Sequence, residues 1–97
     1  MKVFYEKGIT HLDLHGVRHL EASDEVIDFV YQYQSELPLM IICGNSNRMI
    51  EIVENSLKSN SIMFSKPRFG IIRVEKLGII LIYSFLKINF QMKRLGL

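Results

Sequence analysis

The chain has 97 residues, 48% of them hydrophobic, which bounds it to one domain with a small core and excludes a disordered polymer. Twelve basic and ten acidic residues give a formal charge of +2, unevenly spread: residues 1–57 hold four basic residues and nine acids, whereas residues 58–97 hold eight basic residues and only Glu75. The lone cysteine, Cys43, excludes an intramolecular disulfide and a cysteine-based zinc site within one chain.

The balance is thus −5 over residues 1–57 and +7 over residues 58–97, and a cationic end of that kind suits a phosphate backbone or an acidic surface. Met1 to Lys7 lacks the apolar core of a secretory signal, which together with the single cysteine points to a reducing, cytoplasmic setting. The longest apolar run, Gly78 to Leu86, is about half of the roughly 20 residues that a spanning helix needs, so no membrane segment is expected.

Thr10 to Leu14 alternates, with Leu12 and Leu14 on one face and His11 and Asp13 on the other, and predicts a strand closed by Gly16. Between Glu21 and Leu37 the apolar positions Ala22, Val26, Phe29, Val30, Tyr33 and Leu37 recur at three and four, which predicts an amphipathic helix that Pro38 stops. Leu39 to Ile42 is a continuous apolar run, the pattern of a strand buried on both faces in a parallel sheet. Cys43 to Asn47 breaks it. A second helix is expected from Asn47 or Arg48, with Met49, Ile50, Val53 and Leu57 as its stripe, Ser46 or Asn47 as its cap, and an end within Lys58 to Ser61.

Ile62 to Phe64 reads as a third strand, Lys66 to Gly70 as a turn, and Ile71 to Leu77 as a fourth strand. Phe64 and Phe69 are taken as core and turn packing. The expected order is βαβαββ, an α/β domain over residues 1–77, with an apolar and basic extension over residues 78–97 that periodicity leaves open between strand and helix.

A right-handed crossover between the first two strands brings their carboxyl ends to one edge of the sheet, where open α/β sheets bind ligands. Asp13, His15 and Gly16 would stand there beside Cys43, Gly44, Asn45, Ser46 and Asn47. Gly44 allows close approach of a phosphate, the first amides of the second helix form an anion site, and Arg48 adds charge. An imidazole can take and give a proton at neutral pH, and Asp13 can orient that of His15 or bind a metal, so the pair suits acid/base work on a phosphodiester. Each has a plainer reading, Asp13 as a turn cap and His15 as a structural hydrogen-bonding group. Cys43 has two readings as well, a nucleophile at a helix N-terminus or a small core residue. His11 and His19 are taken as solvated.

Leu12-Asp13-Leu14-His15-Gly16, followed by Glu21-Ala22, resembles the first motif of the small MutS-related (Smr) domain family. The family's second motif, an apolar strand followed by His-Gly-x-Gly, Thr-Gly-x-Gly or a close relative, is similar to Ile41-Ile42-Cys43-Gly44-Asn45-Ser46, with Cys43 in place of His or Thr and Ser46 in place of the second glycine. Gly70 leading into Ile71-Ile72-Arg73-Val74 resembles the last element, and the likeness spans about residues 9–77. The resemblance implies a two-layer α/β sandwich with a mixed sheet and a nucleic-acid role, binding or cutting DNA or RNA. It places function at Asp13, His15 and Gly44.

Three functions compete on the sequence. A phosphodiesterase would use Asp13 and His15, with no evident cofactor beyond a divalent metal such as magnesium. A binding module without chemistry would cradle phosphates at the same edge and extend the contact through Lys66, Arg68, Arg73 and Lys76. An assembly subunit would self-associate through the apolar residues 79–90.

Overall fold

The computed structural model describes residues 2–77. Alternation sets its sheet. Strands β1 (Lys2–Glu6), β2 (Ile9–Asp13), β3 (Leu39–Ile42), β4 (Met63–Arg68) and β5 (Ile71–Lys76) lie in the order β1-β2-β3-β5-β4. Only β2 and β3 run parallel; the other three pairings are antiparallel, so the sheet is mixed. The register carries a row of apolar side chains across the sheet, Val3 opposite Leu12, Leu12 opposite Ile41, and Ile41 opposite Ile72. Period-two alternation puts that whole row on one face.

Two helices cover this face, α1 (His19–Gln32) and α2 (Asn47–Ser59). Ala22, Val26, Phe29 and Val30 of α1 and Met49, Val53 and Leu57 of α2 complete the core with Leu12, Leu14, Leu39, Ile41, Ile72 and Val74. Where the helices meet, the Ser23 hydroxyl donates to Ser56 Oγ at 2.9 Å and Ser56 Oγ donates in turn to the Ser23 carbonyl at 3.4 Å. A buried hydroxyl with a partner avoids the cost of an unsatisfied polar group. The other face of the sheet has the half-buried Phe4, Ile9, Met40, Ile42 and Ile71, and no described element lies over it. The result is a two-layer α/β fold, and among the described residues no helix is long and apolar enough to cross a membrane.

Three elements differ from the sequence expectation. An additional edge strand, β1, precedes the first expected one, making the order ββαβαββ; it is joined to β2 by Lys7 and Gly8, both at positive φ (52° and 81°), the combination that two-residue hairpin turns favour. Helix α1 ends at Gln32 instead of Leu37, because the chain tightens at Tyr33 into a short 3-10 turn over Gln34–Glu36. Tyr33 and Leu37 still pack against the core, which is why their spacing looked helical. The expected turn Lys66–Gly70 shrinks to Phe69 and Gly70, and Lys66, Pro67 and Arg68 belong to β4. Pro67 is tolerated there because β4 is an edge strand. Residues 78–97, with the apolar run considered for self-association, lie outside the described residues.

Candidate functional site

Parallel pairing sets Asp13 opposite Ile42, and the ladder continues one step further as the Leu14 amide donates to the Ile42 carbonyl at 3.0 Å. The carboxyl ends of β2 and β3 therefore share one edge. The turn between β4 and β5 joins them, because the Cys43 amide donates to the Gly70 carbonyl at 2.7 Å. Three turns meet at this edge, and each contains a glycine at positive φ: Gly16 at 81°, Gly44 at 75° and Gly70 at 82°. A Cβ on Gly16 or Gly44 would point into open space, whereas one on Gly70 would collide with the Gly44 carbonyl. Gly70 is thus the position where absence of a side chain lets two turns touch.

In the first turn, Asp13 Oδ1 accepts a hydrogen bond from the His15 amide at 2.9 Å, and the Val17 amide donates to the Leu14 carbonyl at 3.0 Å. Asp13 holds the shape of the turn, the plainer of its two readings. The His15 side chain is exposed at the edge. Beyond the turn, His19 opens α1 and is exposed. His11 departs from its expected solvated role: it is half-buried on the outer face, stacked on Phe4 with ring centroids 4.8 Å apart, and its Nδ1 lies 2.9 Å from the Ile9 carbonyl.

In the second turn, Gly44 and Asn45 are exposed, and Ser46 caps α2 by accepting the Met49 amide at 3.1 Å. The amides of Asn47 and Arg48, in the first turn of that helix, have no intrahelical acceptor, and the helix dipole adds positive potential beside them. Cys43 contributes to none of this. Its side chain is 8% exposed among core residues, its amide is committed to Gly70, and burial, with a smaller contribution from Glu54, pushes the thiol up to about 11. The nucleophile reading requires a thiolate near neutral pH, which this environment opposes.

Of the four cations Arg48, Lys66, Arg68 and Arg73, three are paired. Arg48 donates to Glu51 at 2.9 Å, Lys66 lies 3.2 Å from Glu54, and Arg73 Nε lies 3.3 Å from Glu75 as an ion pair without a directed hydrogen bond. Glu75 also accepts the Ser65 hydroxyl at 2.7 Å. Arg73 stands opposite Met40 and Ser65, on the face turned away from the helices, so it does not join the two turns. Arg68, at the end of β4, is exposed and has no carboxylate partner among the described residues.

A groove of about 580 Å³ runs between α2 and the β4–β5 hairpin, from Asn47 to Lys58 on the helix side, with Lys66, Arg68 and Phe69 facing them. Asn47 and Gly70 tie it to the second turn. Phe69 is 64% exposed, so it is not the turn packing its sequence suggested, whereas Phe64 does pack against the core. Reading the hairpin as two residues long would have placed Phe69 at its tip. No three His, Cys, Asp or Glu side chains cluster among the described residues. Asp13 is the one carboxylate in the first turn, so these donors do not make a resident metal site; a magnesium ion there would be held chiefly by its own waters and a phosphate.

No family model, no curated protein and no solved structure matches this chain.

Gly70→Ala should lower stability by roughly 2–4 kcal/mol, combining the strain of positive φ with the collision against Gly44, whereas Gly16→Ala and Gly44→Ala should each lose about 1 kcal/mol from φ alone. Urea unfolding of the three variants measures the difference; equal losses would remove the close contact from the account. Cys43 also makes an alkaline prediction. Its folded pKa lies above the ordinary value of 9.0, so its contribution is intact below pH 9 and is lost as pH rises toward about 11, by roughly 2–3 kcal/mol in all. Cys43→Ala should therefore show a shallower fall in unfolding free energy between pH 9 and 11 than the natural chain.

Proposed function

We propose that this chain is an Smr-like nucleic-acid-binding domain, whose two glycine turns and the start of α2 receive a backbone phosphate. The observation that carries the reading is the meeting of the Asp13–Gly16 turn with the Gly44–Arg48 turn at one sheet edge, with Asn47 and Arg48 amides free of helical acceptors. Amides and a helix dipole attract an anion without any base contact, so they position a strand and leave its sequence unread. Arg68 extends the contact along the hairpin. Lys66 adds less, since Glu54 already neutralises it.

Cleavage is the second reading, favoured by the exposed His15 imidazole. In that reading His15 moves the proton, either taking it from the attacking hydroxyl or giving it to the leaving oxygen, while Asp13 fixes its position by holding the His15 amide. Cys43 plays no part in the reaction. The self-association considered for residues 79–90 lies outside the described residues and is no part of this reading.

Incubating the full chain with end-labelled single-stranded RNA, duplex DNA and branched DNA, with magnesium or with a chelator, tests both readings. Binding without product makes this a binding module; product that His15→Ala abolishes while binding persists makes it a nuclease. Failure to retard any of the three would overturn the proposal. Arg68→Ala should weaken binding and lower the slope of log affinity against log salt by about 1, while Lys66→Ala should leave the slope nearly unchanged. A slope unaffected by Arg68→Ala would take the hairpin out of the interface.

A further inference from the structure

The groove beside α2 contains more than a phosphate needs. A phosphate is satisfied by amides and cations, yet the hairpin presents Phe69, a large apolar ring, 64% exposed at its tip. The tip is also fixed in place. Gly70 sits against the Gly44 backbone and its carbonyl accepts the Cys43 amide, so the residue next to Phe69 is anchored to the second turn. An exposed ring on an anchored turn loses little conformational freedom on binding, which suits a recognition surface.

The surroundings select the partner. The groove has three cations, Lys58, Lys66 and Arg68, and two carboxylates, Glu51 and Glu54, and both carboxylates are already paired, with Arg48 and Lys66. Lys58 and Arg68 remain without a carboxylate partner among the described residues, one on the helix wall and one on the strand wall. A flat apolar ring next to one unpaired cation, Arg68, in a groove that reaches a second, Lys58, near the far end of α2, matches a polymer whose flat bases alternate with anionic phosphates. In a duplex the base faces are stacked inside the helix, whereas an unpaired strand offers them.

We infer that Phe69 is a stacking platform for an unpaired base, so that the groove takes single-stranded nucleic acid, with Arg68 on the phosphate beside that base and Lys58 on a phosphate further along the strand. The inference rests on the nucleic-acid reading above and narrows it to a substrate class. Phe69 acts through its ring face, which makes tryptophan an acceptable substitute and alanine a poor one. Because Phe69 is exposed, neither substitution disturbs the core.

The test is fluorescence anisotropy of the full chain with labelled oligouridylate and, separately, with a duplex of the same length, comparing the natural sequence, Phe69→Ala and Phe69→Trp. Thermal midpoints of the three serve as the folding control. Phe69→Ala should weaken the single strand by roughly five- to a hundredfold and change the duplex less than twofold, and Phe69→Trp should retain single-strand binding with its emission quenched on complex formation. Single-strand binding unchanged by Phe69→Ala, or equal losses on both nucleic acids, would overturn the stacking role. Binding of the duplex alone would overturn it too while leaving the nucleic-acid reading intact; binding of neither would remove both.

Discussion

The three-turn edge is completed by one close approach, Gly70 against the backbone of Gly44, secured by the bond from the Cys43 amide to the Gly70 carbonyl. Elsewhere the β4–β5 hairpin is held by its ladder with β3, by Ile72 and Val74 in the core and Phe64 against it, and by the ion pair of Lys66 with Glu54. Through the close approach, a turn far along the chain is held at the mouth of the helix that begins at Asn47. Gly44 and Gly70, 26 positions apart, thereby meet, and the hairpin and α2 form the two walls of the groove.

That arrangement changes what the cationic second half of the chain means. Three of its eight basic residues, Lys87, Lys93 and Arg94, lie outside the described residues, and two more are matched to acids: Lys66 with Glu54 and Arg73 with Glu75. The ion pairs at the surface are worth little to stability, but they decide which cations remain available to an anion. In the proposed reading, attraction for phosphate rests on backbone amides and a few unpaired side chains, which a count of lysines and arginines does not reveal.

The buried strands were legible because one face of each packs in the core, as Leu12, Leu39 and Ile41 show; the continuous apolar run of β3 suggested burial on both faces, but Met40 and Ile42 are only half-buried on the uncovered side. The edge strands were legible only in part. The start of β4 falls within the strand expected at Ile62 to Phe64, but β4 is exposed at five of its six positions, so its extent to Arg68 rests on backbone pairing with β5 and leaves no pattern in the side chains; β1 has only Val3 and Phe4 half-buried. The end of α1 was misplaced for another reason: apolar spacing reports contact with the core, and Tyr33 and Leu37 keep that contact after the helix has ended. At the site, the local turn around Asp13 and the cap at Ser46 were visible in sequence, since their partners lie two and three residues away. The pairings of Lys66 and Arg73, the burial of Cys43 and the exposure of Phe69 depend on elements that only the fold brings together, or on an edge strand whose limits were hidden.

Pro67 gives the two sides of the sheet different prospects for growth. It has no amide hydrogen to offer, and Lys66 and Arg68 flank it with charge, so the outer edge of β4 is a poor template for an additional strand. The opposite edge, β1, contains no proline. Copies or extended peptides that lengthen this sheet by main-chain pairing would therefore do so from the β1 side, away from the hairpin groove, leaving the groove accessible in any such assembly.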